Sequence, residues 1–488
     1  MKKCKVGRNK LQSLDLSKCE TVGDIVKGMK HCSFGARMLG EVAETLYGWI
    51  KEGRLPTVIY DGEEKTPFRQ LLEIMKERDW IKNIIGPAGF YLERIDESEN
   101  LLVIGDFSGR VENMIHKMPN RIIFINEYGK AKPGQIKDGY FPDAVFADPH
   151  FIVLVLSCFL SEKINGKKIS TTFLVEDIGA YEFGSLAGEV ARGAKIFKDM
   201  VEDPDCTVFL TLSGAMTIAK MSLVVCDMID NGMIQAVTST GALMAHGFIE
   251  SLGLKHYKYD PAVSDKELAK KGLNRVTDTL EPETNFDRVD EILEDILKRF
   301  GPTPKPISPT LFHLMIGQYL TEKYPNERGI LKSAYQKSVP VFTPAFVDSE
   351  IGNDLYVHNL IRQRAGKKPI MMNLERDTEI LVDIAARSKR MGIFTIGGGV
   401  PRNNVQNVAP LLEIMRNRIG DNNIPLKQFS YGCRICPDPM WYGHLSGCTY
   451  SEGKSWRKMA LSGTFAEIHT DATITLPFIV KYAMETIK

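Results

Sequence analysis

The chain has 488 residues, and its 62 Lys and Arg against 61 Asp and Glu leave a formal net charge of +1, which gives no sign of a nucleic-acid or polyanion surface. That length allows two to four domains at about 100–200 residues each, and the nine irregularly spaced cysteines read as reduced thiols rather than a disulfide framework. The most apolar run, Phe151 to Leu160, is half the ~20 residues a membrane helix needs, and the basic opening MKKCKVGRNK leads into no apolar stretch, so the expectation is a soluble cytoplasmic protein with neither nucleic acid nor membrane as partner.

Thr21 to Glu52 reads as two helices. Thr21 can cap the first, whose Val22, Ile25, Val26 and Met29 share a side. The second starts near Phe34-Gly35 and carries Leu39, Val42, Leu46, Trp49 and Ile50. FGARMLGEVA (Phe34 to Ala43) and FGSLAGEVA (Phe183 to Ala191) form a weak repeat, either a duplicated unit or two amphipathic helices that coincide. Between them, short β-type runs (Thr57 to Tyr60, Leu101 to Gly105, Arg121 to Ile125, Ala144 to Ala147) alternate with helical segments such as Phe68 to Glu77. This is α/β patterning without a chemical motif. Asp148-Pro149-His150 is as good a turn as a site. The expected division is a helical segment over 1–52, an inserted α/β region over 53–177 and a catalytic domain over 178–488.

From Cys206 the pattern repeats as strand, small-residue turn and helix. CTVFLTLSG is a buried strand followed by a helix over Met216 to Ile229, and Gln235 to Ser239 is a strand ending in Thr240-Gly241-Ala242. Such a repeat describes a doubly wound parallel sheet, whose ligands sit at the carboxyl ends of the strands. Thr284 to Phe300 is a helix, apolar at Val289, Ile292, Leu293, Ile296, Leu297 and Phe300, stopped by Gly301-Pro302. Val339 to Phe346 reads as a strand leading to Asp348. A helix over Thr378 to Met391 precedes strand Ile393 to Ile396 and then Gly397-Gly398-Gly399. That triple glycine is either a tight turn or a place where backbone approaches a phosphate at a helix N-terminus. Cys433 and Cys436 have CxxC spacing but lack a second pair at zinc-site distance, so no metal is expected. The chain closes with strand Glu467 to Thr470, then Asp471-Ala472, and a helix from Leu476.

Ser446 to Met459, SGCTYSEGKSWRKM, gathers Glu452, Lys454, Trp456 and Lys458. A helix from Ser451 would put Glu452 with Trp456, and Lys454 with Lys458, at i, i+4 spacing. A lysine beside another cation and an aromatic wall loses its proton more easily, and a neutral lysine makes imines. A carboxylate next to an indole can hold a cationic amine. The same residues also suit a solvated amphipathic turn with Trp456 in the core.

The segment resembles the active-site motif of the deoxyhypusine synthase family, particularly its bacterial-type branch. The likeness runs from about Phe183 to the C-terminus through ordered landmarks: VFLTLSG, TSTG, ETNFDRV, FTPAFVD, IGGGV, the Ser-Gly, Glu and Ser-Trp-x-Lys pattern, and TDAT. It implies a Rossmann-like NAD domain, assembled as a homotetramer with sites between subunits. By position, Lys458 matches the imine-forming lysine, and Glu452, Trp456 and Asp354 match residues that bind the polyamine donor. Asn407 matches a polar position near the substrate. Gly397, Gly398, Gly399, Asp348, Ser446, Asp471 and Ala472 match positions around NAD. Several positions depart from the pattern. Asn403 stands where the family has a histidine, Met244 and Ala245 replace two glutamates with His246 next, Leu445 replaces an acid, and Gly214-Ala215 replaces a serine–asparagine pair. His246 and Asn403 are therefore both candidates for the proton-handling role. The implied reaction is aminobutyl transfer from spermidine through Lys458, with a small amine or a translation-factor lysine as acceptor. The alternatives are an NAD-binding protein without transferase activity and an NAD-dependent amine dehydrogenase.

Overall fold

The computed structural model describes residues 9–60, 67–86, 99–105, 122–126, 144–180, 186–300, 306–441, 443 and 446–487. Helices Val22–Met29 and Phe34–Lys51 open the fold, the first closed by a capping box between Thr21 and Asp24. A five-stranded parallel sheet follows, from β1 (Thr57–Tyr60), β2 (Asn83–Ile85), β3 (Leu101–Ile104), β4 (Ile122–Asn126) and β5 (Ala144–Phe146), in the order β2-β1-β3-β4-β5. Helix Pro149–Asn165 returns from it. Asp148 is its N-cap, accepting the Phe151 N–H at 2.8 Å, so Asp148-Pro149-His150 starts a helix. Phe151, Ile152, Val155, Leu156 and Phe159 of the apolar run are buried along it. Phe183, which opens the second copy of the weak repeat, lies outside the described residues.

The larger sheet comprises β6 (Cys206–Leu212) and β7 (Ala236–Ser239), then, beyond the small antiparallel sheet of β8 (Tyr257–Lys258), β9 (Leu273–Val276) and β10 (Thr279–Pro282), the strands β11 (Val341–Phe342), β12 (Arg390–Ile396), β13 (Phe429–Ile435) and β14 (Met459–Ile468). Its order is β11-β7-β6-β12-β13-β14, all parallel. Counted from β6 this is 3-2-1-4-5-6, the doubly wound dinucleotide order, with its reversal between β6 and β12. Alternate strand residues feed two cores. Val208, Leu210, Leu212, Phe394 and Ile396 pack on one side, while Phe209, Met391, Ile393 and Phe429 pack on the other with Leu381, Val405 and Leu412. Burial on both faces explains the near-continuous apolar strands. The fold is thus α/β and Rossmann-like, with a second parallel sheet preceding it in the chain.

Some expected elements move. Met216–Met221 is a turn and the helix begins at Ser222, because Lys220 sits at φ 71°, a left-handed conformation that a helix cannot contain. The strand expected over Val339 to Phe346 shrinks to Val341–Phe342, between Pro340 and Pro344, which lack the N–H a ladder needs. The helix expected over Thr378 to Met391 is Leu374–Arg387, and β12 takes the residues after it. The last strand starts at Met459, eight residues before the expected Glu467, and the last helix at Ala472, with Pro477 inside it.

Candidate active site

The site is built where β6 and β12 part. Ser213, just past β6, accepts the Gly398 N–H at 3.0 Å, and its hydroxyl lies 2.8 Å from the Ile396 carbonyl and 3.0 Å from that of Gly398. The triple-glycine turn is thereby tied across the crevice. Gly397 (φ 75°) and Gly399 (φ 61°) adopt the left-handed region, and a β-carbon on Gly398 would meet the Ser446 carbonyl oxygen at 2.8 Å. Helix Gly399–Gln406 leaves this turn without a side-chain cap, and helix Gly241–Ser251 leaves β7 without one at Thr240. Two helix N-termini with open N–H groups thus face the carboxyl end of the sheet, a setting that favours an anion.

Ser446 to Lys458 drapes over helix Gly399–Gln406. Arg402 donates to the Cys448 carbonyl at 2.5 Å and lies 5.1 Å from the Tyr450 ring. Arg434, buried at 1 % exposure, donates to the carbonyls of Cys448 (2.6 Å) and Ser446 (3.2 Å) and reaches Glu467 at 3.3 Å. The Cys436 thiol meets the Ser446 carbonyl at 3.6 Å, while Cys433 is buried in the core, and burial pushes both thiols up. Neither arginine was singled out from sequence. Their signal, a basic residue beside a glycine turn and another inside an apolar strand, gains meaning only once the fold buries both against the Cys448 carbonyl.

The helix in this segment is short, Tyr450–Ser455, so Lys454 and Lys458 do not share a helical face. Lys454 lies 5.4 Å from the Phe465 ring instead. Lys458 is the residue before β14, half-buried, its carbonyl accepting from Phe429 N–H and its Nζ 2.8 Å from Asn403 Oδ1. The Trp456 ring centroid is 5.8 Å from the same nitrogen. Burial first, and then the Arg402 cation, bring the Lys458 ammonium below the usual lysine range, while Cys448 opposes them. The expected effect is present, with Arg402 in place of Lys454 as the neighbouring cation.

The remaining candidates fall into separate places. Asn403 and Asn407 are both exposed and one turn apart. Glu452 closes a capping box with Thr449 and accepts the Cys448 thiol at 2.6 Å, which holds it beneath its usual range. Trp456 is 70 % exposed rather than a core residue. Asp348 follows β11, where its carbonyl and Ser349 crowd Gly241. Asp471 caps the last helix, accepting the Thr473 N–H at 2.8 Å, and presses on Gly35, with Ala472 buried behind it; burial raises its carboxyl. Both positions lie at carboxyl ends of strands. His246 faces Glu281 at 2.6 Å, with Glu350 near, and the same Glu350 acts on Asp354. Burial, together with Asp290 and Glu350, pushes the Asp354 carboxyl up to about 7. Among the described contacts none joins His246 or Asp354 to Lys458. Leu445 lies outside the described residues.

The comparisons with known proteins give the family. Residues 174–483 match the family model described as deoxyhypusine synthase. A Methanosarcina acetivorans protein described as "Probable deoxyhypusine synthase 2" is 32% identical over 301 residues, 62% of this chain and 83% of the relative. An Archaeoglobus fulgidus protein, "Probable deoxyhypusine synthase 1", is 32% identical over 306 residues, 62% of this chain and 92% of that one. A Chlorobaculum tepidum "Deoxyhypusine synthase-like protein" is 32% identical over 313 residues, 64% of this chain and 85% of its own length. The family match covers the larger sheet and every residue of the site, and the chain belongs to the deoxyhypusine synthase family, whose members are NAD-using enzymes acting on polyamines.

Proposed function

We propose that the protein transfers an aminobutyl group from spermidine or a similar polyamine, through an imine on Lys458, to an acceptor amine. The observation that carries this reading is the Lys458 amine itself. It is half-buried, paired at 2.8 Å with a neutral amide, and pressed by the Arg402 cation, so that it deprotonates more readily than an exposed lysine.

NAD fits the turn beside it. Nothing lies within 4 Å of where a β-carbon on Gly399 would sit, which leaves room for a dinucleotide there, and the uncapped helix N-termini at Gly398 and Thr240 suit its pyrophosphate. Asp348, Ser446, Asp471 and Ala472 would line the remainder. When bound, NAD would accept a hydride from the carbon next to the secondary amine and later return it. Lys458 attacks the resulting substrate imine, diaminopropane leaves, and the four-carbon fragment stays on the lysine. The acceptor amine then displaces Lys458. Asn403 holds the Lys458 nitrogen in place, and Trp456 walls the methylene chain. Glu452 and Asp354 draw the ammonium ends, Asn407 adds a polar contact, and His246 handles the proton.

Trp456, 70 % exposed, leaves the Lys458 side open in one chain. A homotetramer, with His246 and Asp354 of one subunit facing Lys458 of another, would close it. The acceptor is a small amine, giving a homospermidine-type product, or a translation-factor lysine. Incubation with NAD, spermidine and a panel of amines tests the reading by mass spectrometry. Free diaminopropane with an enlarged acceptor supports it and names the acceptor. Diaminopropane with a free aminoaldehyde instead marks a dehydrogenase, and NAD binding without turnover marks a binding protein.

A further inference from the structure

Behind helix Gly241–Ser251 runs a line of ionisable side chains. His246 Nδ1 lies 2.6 Å from one oxygen of Glu281, and the other oxygen lies 3.1 Å from His256 Nε2 and accepts from Asn285 at 3.2 Å. His256 Nδ1 meets the Lys220 ammonium, which is also 2.6 Å from Glu250. Glu250 in turn accepts from Ser222 and, at 2.9 Å, from Ser13. The side chains of Glu281, His256 and Lys220 are at most 2 % exposed, whereas that of His246 is 15 % exposed.

Donor and acceptor roles follow from one end. An ammonium can only donate, so His256 Nδ1 accepts and the ring carries its proton on Nε2, towards Glu281. Burial alone would raise the Glu281 carboxyl, but the His246 bond and the close approach of His256 bring it down to about 2. An ionised Glu281 needs an N–H from His246 Nδ1, which leaves His246 Nε2 with a free lone pair. The ligand atoms of His246, His256 and Glu281 also lie within 4.8 Å of one another, as three ligands of a divalent cation would. Lys220 argues against a metal there. A cation on His256 Nε2 would have to displace the proton that the Lys220 contact keeps on that nitrogen.

We propose that Glu281 is a positioning residue that holds His246 as the acid–base group of the polyamine site, and that the Lys220–His256 pair keeps Glu281 ionised. This rests on the reading of His246 given above. A protonated secondary amine must lose its N–H proton before the adjacent carbon can lose hydride. His246 Nε2 takes that proton: the amine N–H bond breaks, an imidazole N–H bond forms, and the new charge sits against the Glu281 carboxylate, as a buried carboxylate supports a catalytic imidazole elsewhere. The proton travels no further, because His256 Nδ1 is already filled by Lys220. It returns to the departing diamine when the carbon–nitrogen bond breaks.

Nitrogen-15 NMR of the histidine-labelled full chain tests this. Neutral His246 is expected to carry its proton on Nδ1, and His256 on Nε2. The charged groups around His246 are Glu281, Glu350, Lys220 and His256. In Glu281→Gln the His246 titration midpoint is expected to fall, with thermal melting as the control for folding. His246→Gln is expected to lower kcat about 10²-fold, as loss of an acid–base group does. Neutral His246 protonated on Nε2, an unmoved midpoint in a folded Glu281→Gln protein, or a metal ion retained on these three residues would each overturn the proposal. A missing adduct on Lys458 would instead sink the transfer reading and leave these tautomers as found.

Discussion

Asn403→Asp replaces a neutral amide with a carboxylate of nearly the same shape, 2.8 Å from the Lys458 nitrogen. At that separation a unit charge pair is worth about 1.5 kcal/mol at the dielectric of water and about 6 kcal/mol at an effective dielectric of 20. Lys458 is half-buried beside an exposed Trp456, so the solvated limit is the better guide. About 1.5 kcal/mol corresponds to about a tenfold fall in the neutral amine fraction at fixed pH. The sign is definite. Burial and Arg402 lower the lysine in the native site, a carboxylate raises it, and a higher pH is then needed to free the nucleophile. The assay is single-turnover formation of the borohydride-trapped adduct from pH 6 to 10. The acid limb of the variant should lie at higher pH, with rates converging once both lysines are neutral. An acid limb that stays put, or moves to lower pH, refutes the idea that Asn403 keeps Lys458 reactive by being uncharged.

Further outcomes follow from the same structure. Lys458→Arg should abolish the trapped adduct while leaving NAD binding, read by fluorescence titration, unchanged. Gly398→Ala forces a β-carbon to 2.8 Å from the Ser446 carbonyl, and strain of about 1–3 kcal/mol should weaken NAD binding about tenfold or more in calorimetry. The Asp354 carboxyl, up to about 7, becomes charged as pH rises, so polyamine affinity should climb between pH 6 and 8 and flatten in Asp354→Asn. His313 is buried with its imidazole down at about 4, set by desolvation against one bond to the Val341 carbonyl at 3.0 Å. The unfolded chain therefore binds the extra proton between about 6.5 and 4, and stability should fall by about 3 kcal/mol as pH drops through that window. Urea melts of His313→Gln should lack that acid limb.

Strands and turns were the most legible part of this molecule. VFLTLSG and IFTIGGG each spell a buried run and the turn that ends it, because a strand covered on both faces has no polar side to obscure its length. Strand order is carried by pairing across long sequence distances, so the 3-2-1-4-5-6 arrangement emerges only in three dimensions. Lys458, Trp456 and Asn403 were legible as candidates through a family pattern. Their chemistry was misread locally: the stretch around Glu452 suggests one continuous helix, yet it breaks at Trp456, with Arg457 at φ 56°, and hands Lys458 to a strand. The cation beside Lys458 is consequently Arg402, more than fifty positions earlier in the chain. Glu281 and His256 carry no motif at all. Their meaning comes from Lys220, whose buried ammonium fixes the direction of every hydrogen bond in the line.

Whether Lys458 carries the substrate fragment can be read directly. The full chain would be incubated with NAD and spermidine, reduced with borohydride, digested and sequenced by tandem mass spectrometry. One aminobutyl group is expected, on Lys458, formed only when NAD is present. An unmodified Lys458 in protein that binds NAD, or the same group on a different lysine, would contradict it.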